Sequence, residues 1–267
     1  MSLAREALRL CTVRALRGET LVGDKVRDSE QGPIEDYVKD ASEPVIIVYT
    51  DDCTTATTEQ RQLFSGGKQD LVIEVMVTQR MKVKMPATET QPEQEADVLT
   101  PIETDAEMEF IIGVITRQIT VALMSPLSPW AEMWREFAVT ISNRQDRRGS
   151  SMRDGVRFAG RQIVLTVDLL RDPVPGDPIA PTSAWARFLA LVDATDDLAP
   201  IAPTLHALIE GGPVDLPDWQ KLRGGYGMTL GEARALQLTP PAAAEGTSPD
   251  FEGVTPDTHA VSPGTLP

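Results

Sequence analysis

The sequence predicts an α+β fold: a small mixed or antiparallel sheet with helices packed on one face, continued by an extended C-terminal appendage with short helices. Three observations lead there. Residues 45–50, 71–78 and 161–170 read as strands, either apolar on both faces or alternating with period two. Residues 2–16 and the segment after Thr104 carry apolar side chains at helical spacing instead. The prolines are uneven, 14 of the 21 falling in the last 95 residues. That asymmetry divides the chain into a core over 1–172, an appendage with short helices over 173–239 and a Pro-rich acidic tail over 240–267.

Taken in order, Leu3, Ala7, Leu10 and Arg14 follow the helical step with Leu8, Cys11 and Ala15 beside them, Ser2 as the expected N-cap and Gly18 near the C-cap. Residues 24–42 are polar. Residues 45–50, bounded by Pro44 and Asp51-Asp52, form a buried β-branched strand. Gly66-Gly67 closes a Thr-rich loop, and Leu71, Ile73, Val75 and Val77 then alternate in a second strand that runs on toward Lys84. Residues 86–101 read as a loop or arm.

Thr104 and Glu107 form a capping box at the head of a long helix whose face is Met108, Ile111, Ile112, Ile115, Ile119 and Ala122, ending before Ser125-Pro126. A shorter helix is expected over 130–141, then a basic loop, then a third strand ending at Asp172-Pro173. The only turn of hairpin length expected between strands follows Thr50. Three short helices are expected in the appendage, over 183–195, 204–210 and 229–238, each too short to stand alone.

Composition excludes several functions. A net charge of −15 with no long basic run disfavours a general nucleic-acid binder. No apolar run approaches membrane-spanning length, and the arginines in the first helix are unlike a secretory signal. Two cysteines, Cys11 and Cys53, fit a reducing compartment rather than a disulfide framework. The two histidines, His206 and His259, are far apart, so no metal site is expected, and no cofactor.

Gly66-Gly67-Lys68 lacks the first glycine of a phosphate loop, and Arg223-Gly224-Gly225-Tyr226-Gly227 reads as a joint rather than a ligand loop. Ser150-Ser151 lacks the nucleophile-elbow pattern. Asp51-Asp52 and Asp196-Asp197 are adjacent acids in a chain with 40 of them. The reading is of no catalytic set and no enzyme.

The local anomaly is charge. Residues 87–109 hold eight acids and no base, whereas Arg144, Arg147, Arg148, Arg153, Arg157 and Arg161 fall within 18 residues against only Asp146 and Asp154. A solvated loop is one reading of the arginines; docking onto an acidic surface of another copy or partner, or a nucleic-acid contact, are the others. Arg144, Arg147, Arg148, Arg153 and Arg157 are the candidate interface residues, joined by Trp130, Trp134, Trp185 and Trp219.

The order of elements, with Thr20-Leu21-Val22-Gly23-Asp24-Lys25-Val26-Arg27-Asp28 after the first helix and Pro44-Val45-Ile46-Ile47-Val48-Tyr49-Thr50-Asp51-Asp52 as the first strand, resembles the tail terminator proteins of long-tailed, lambda-like phages. The likeness spans residues 3–172. It implies a non-enzymatic ring, typically a hexamer, whose subunits meet through the edges of the core sheet. Such a ring caps the tail tube and then joins the tail to the neck of the head. Implied partners are the chain itself, the tail tube protein, a neck or head-completion protein, and DNA that passes through the lumen without specific binding, with no membrane; the acidic surplus of this chain is expected to line part of that channel. The implied location is the virion's tail–neck region, after assembly in the host cytoplasm. A head-completion or other neck protein, and a non-phage adaptor binding through the Pro-rich tail, are the alternatives. The acidic segment and the appendage exceed what that family's compact form requires.

Overall fold

A computed structural model of the chain describes residues 2–29, 43–54, 64, 66–78, 82–85, 98–101, 104–153, 156–174, 177–211 and 216–240. The Pro-rich tail beyond Pro240, most of the polar stretch 24–42, most of the Thr-rich loop, residues 87–97 of the acidic segment, and His259 lie outside them.

Helix α1 (Leu3–Leu16) forms where its periodicity places it. Its first turn is not closed by Ser2, whose side chain makes no capping bond to it. Asp172 does that work from 170 residues away. Its buried carboxylate accepts the amides of Leu3 at 3.0 Å and Ala4 at 2.8 Å, and the Ser2 hydroxyl at 3.0 Å. Two of the orphan N–H groups that every helix start carries are thereby satisfied by a charge at the positive end of the dipole. Beyond the helix, Gly18 adopts φ +75°, the left-handed conformation that terminates helices.

Five strands build the main sheet: β1 (Val26–Asp28), β2 (Val45–Thr54), β3 (Lys68–Thr78), β6 (Ala138–Arg153) and β7 (Val156–Leu169). Their order is β1-β2-β3-β7-β6, parallel between β1 and β2 and antiparallel elsewhere. The sheet is thus mixed, as expected. A separate ribbon pairs β4 (Lys82–Met85) with β5 (Val98–Pro101).

Register sets the faces. Ile46 lies opposite Val75, Val48 opposite Ile73, Leu71 opposite Leu165 and Ile73 opposite Ile163. All of them turn toward one core with α1 and with α2 (Asp105–Leu123), from which Met108, Ile111, Ile112, Ile115 and Ile119 descend. The capping box at Thr104 and Glu107 is present. The helices therefore cover one face of the sheet, α1 over β1 and β2, and α2 over β3 and β7.

Three sequence expectations need correction. The helix expected over 130–141 is α3 (Pro129–Phe137), capped by Ser128. It stops where Val139, Thr140 and Ile141 begin a β-branched run that pairs with β7. The expected basic loop is β6 together with the first part of β7, which starts at Val156 rather than Arg161. The two strands close as a tight hairpin, Arg153 opposite Val156, whereas the short turn expected after Thr50 is replaced by a longer connection, because β2 runs on to Thr54 and β3 starts only at Lys68.

The segment after Pro173 lies on its own chain. In α4 (Ala184–Asp193), Trp185, Phe188, Leu189 and Val192 are buried in the same core. Phe137 of α3 meets Trp185 at 4.9 Å and Phe188 at 5.4 Å between ring centroids, both edge-on. A 3₁₀ turn (Asp196–Leu198), α5 (Ala202–Ile209), α6 (Asp218–Gly225) and α7 (Leu230–Ala235) follow. The arginines of α1 tie these parts together. Arg5 donates to the Thr50 hydroxyl and carbonyl of β2, Arg9 to Asp28 and Ser29, and Arg14 and Arg17 pair with Asp197 at 2.6 and 3.2 Å.

Replacing the cap, Asp172→Ala, is expected to lower unfolding stability by about 2 kcal/mol, with Ser2→Ala costing less. A urea midpoint unchanged from wild type would refute the role given to Asp172. Phe188→Ala is expected to cost roughly 3–5 kcal/mol. Loss confined to α4, with the sheet equally stable by hydrogen exchange, would show that α4 is not part of the common core.

Candidate interaction surface

The last strand in the sheet order is an edge. From Val139 to Gly149 every residue of β6 is exposed, and among the described residues no strand pairs with its outer side. β6 is 16 residues long, against three for β1 at the opposite edge. An edge strand presents a row of backbone N–H and C=O groups that another strand can complete. Register shifts fall between Ala138 and Thr140 and between Ile141 and Asn143; from there to Arg153 the pairing with β7 is regular. The edge has an irregular beginning and a straight continuation.

The straight part carries the arginines. Arg144, Asp146 and Arg148 lie opposite Leu165, Ile163 and Arg161, on the helix-bearing face; Gln145 and Arg147 lie opposite Val164 and Gln162, on the other. The Arg144 guanidinium straddles Asp146 with two contacts of 3.2 Å. Arg148 approaches Glu109 at 3.5 Å while its side chain remains 66% exposed, and Arg161 bonds the same carboxylate. Arg147 donates to the neutral amide of Gln145 at 3.0 Å. Glu109 thus relieves the repulsion between directly opposed Arg148 and Arg161. For Arg153 and Arg157 only the backbone is described, at the end of the hairpin.

Apolar groups are exposed beside these charges. Phe110 and Val121 lie along one stripe of α2, eleven residues apart, Met124 is exposed at its C-cap, and Leu127 follows at 90% exposure. Val139 and Ile141 are exposed at the start of β6.

The tryptophans are placed differently from expectation. Trp134 and Trp185 are 1% and 6% exposed, inside the chain's own core, with the Trp185 indole N–H donating to the Arg171 carbonyl at 3.2 Å. Trp130 is half-buried against Phe188. Bulky aromatics at helical spacing served the junction of α3 and α4. Trp219 is partly exposed on α6, under the Arg223 guanidinium.

No protein-family profile matches the chain, and no curated sequence is similar to it. The surface is therefore read on its own chemistry.

The remaining candidates resolve into structural parts. Asp51 and Asp52 are exposed on a bulge of β2, where the buried Gln69 amide donates to both of their carbonyls at 3.1 and 3.0 Å. Gly66 packs so tightly that a Cβ there would lie 2.2 Å from the Leu169 carbonyl oxygen. Gly225 sits buried against Val174, and its carbonyl accepts from Arg171. Ser150 and Ser151 are on β6, opposite Ala159 and Phe158. Asp197 anchors α1, and the Arg14 hydrogen bond holds its carboxyl below the ordinary range. Among the described residues no group of three or more His, Cys, Asp or Glu side chains is placed to hold a metal ion, and no helix is long and apolar enough to cross a membrane.

On the far face of the sheet, Tyr49 donates to Glu74 at 2.8 Å and the Gln162 amide donates to the same oxygen at 2.6 Å. Burial, and then the Glu74 contact, push the Tyr49 hydroxyl far above its usual range. The cluster satisfies a buried carboxylate.

Sequence reasoning placed arginines in a loop because β6 lacks an apolar period. One signal for the strand was present: Asp154-Gly155, between two polar runs, is a favoured dipeptide for a two-residue hairpin.

One titration is open to measurement. His206 on α5 faces Glu210 at 2.9 Å and Asp193 of α4 at 3.0 Å, and these contacts raise its pKa. Its pairing stabilises the fold fully below about pH 6.5 and fades as pH rises through the higher folded value. An NMR titration is expected to place His206 above 6.5, and Asp193→Asn with Glu210→Gln to bring it back; a wild-type value at or below 6.5 would contradict the geometry.

Proposed function

We propose that the chain is a structural subunit of a ring that caps the tail tube of a long-tailed phage and joins the tail to the neck. The observation that carries this reading is the pair of unequal sheet edges, a 16-residue exposed β6 and a three-residue β1. A long open edge that meets a different surface on the next copy is a heterologous contact, and such contacts either close into rings or grow into filaments. The resemblance over residues 3–172 names the kind of ring. It also supplies the partners: further copies, the tail tube protein, a neck protein, and DNA passing through the lumen.

The exposed stripe of α2 adds apolar area to the charged edge, as association surfaces combine both. The net charge of −15 suits a lumen that conducts DNA without holding it.

The test is particle mass by light scattering, alone and with purified tail tubes. A discrete particle of about six copies bound to the tube end is expected. A strict monomer under both conditions overturns the reading. A ring that binds only portal or adaptor assigns the chain to head completion instead.

A further inference from the structure

We propose that the straight part of the β6 edge is a strand-addition site, and that its occupant is the acidic segment 93–97 of a second copy of this chain. The proposal rests on the ring reading above and names the contact that would build it.

The edge selects by charge. If two β6 edges paired antiparallel about Asp146, Arg144 of one copy would face Arg148 of the other. Like charges directly opposite one another destabilise a strand pair. In that register the arginines oppose symmetric self-pairing, as charges guard natural edges, and the backbone groups stay open to an acidic strand. Residues 144–148 hold three arginines and one acid, on a stretch whose register with β7 is unbroken.

The chain holds a matching segment. Residues 93–97 read Glu-Gln-Glu-Ala-Asp, three acids at every second position and no base. In an extended strand this spacing puts all three carboxylates on one face, about 6.6–6.8 Å apart. The segment lies outside the described residues. Its attachment is described: Met85 of β4 pairs with Val98 of β5, so residues 86–97 leave and rejoin a two-stranded ribbon, and 93–97 lead straight into β5. The tail beyond Pro240 competes less well, with four acids spread over 27 residues. The window and the segment are each five residues long; laid antiparallel, Glu93 would face Arg148 and Asp97 would face Arg144 with Glu95 across from Asp146, so backbone bonds would supply most of the affinity and the two outer charge pairs would favour this register.

The test uses full-length protein and native mass spectrometry. An edge variant carries Arg144→Glu, Arg147→Glu and Arg148→Glu; an arm variant carries Glu93→Lys, Glu95→Lys and Asp97→Lys. The three edge positions are exposed, and circular dichroism checks that both variants fold. Each variant alone is expected to need at least tenfold more protein to assemble than wild type. Mixed together they are expected to assemble again, because the intact arm of the edge variant meets the intact edge of the arm variant and the reversed arm meets the reversed edge. Both sets of changes in one chain are expected to restore the ring.

Rings formed by either variant at wild-type concentration overturn the inference while leaving the ring reading standing. So does a mixture that stays monomeric, or loss of assembly on deleting 241–267 alone. A wild-type chain that is monomeric with and without tail tubes overturns the ring reading, and this contact with it.

Discussion

The contact on which the rest of the structure depends is the carboxylate of Asp172 at the first turn of α1. A helix start that is largely buried needs acceptors for its free N–H groups from inside the protein. Asp172 supplies them from three residues beyond the end of β7, an inner strand of the sheet. Its own amide bonds the Phe64 carbonyl, and Leu169 bonds Gly67 just before it. One short stretch after β7 thereby fixes α1, the entry to β3 and the departure of the chain toward α4. The absent side chain at Gly66 is part of the same junction, because the Leu169 carbonyl occupies the space a Cβ would take.

Around that junction α1 acts as a hub. Its apolar side enters the core, and its arginines reach outward to β1, β2 and the turn after α4. Arginine in an amphipathic helix usually signals solvent. Here the guanidiniums bind carboxylates and carbonyls at the rim of the core, so the helix is anchored on both sides. The salt links at Asp197 are partly exposed and contribute modestly; the buried aliphatic and aromatic contacts hold the elements in place.

Much of this was legible in the sequence. The strands at 45–50 and 71–78, the capping box at Thr104 and the stripe of α4 were readable because burial imposes a period on residues. A small mixed or antiparallel sheet with helices on one face followed from them; the parallel pairing of β1 that makes it mixed did not. β1 is three residues long, too short for any period to appear. β6 escaped for the opposite reason: its straight part is exposed, so neither face is selected for apolar side chains, and arginines there look like a loop. The tryptophans misled through size. Trp134 and Trp185 fill the join between α3 and α4, a packing demand that depends on two elements meeting in space. Asp172 was invisible as a cap because nothing local connects it to Ser2.

That separation shapes how a subunit comes into being. At a synthesis rate of about 5–20 residues per second, residue 172 emerges roughly 10–30 s after α1 does. Until then the helix has no cap and the sheet has no β7 to lie on. The nascent chain must carry an apolar helix and a half-built sheet through the whole interval, and a residue that arrives late locks the first helix. A finished subunit, competent to meet its neighbours, therefore exists only once translation has passed the end of the sheet.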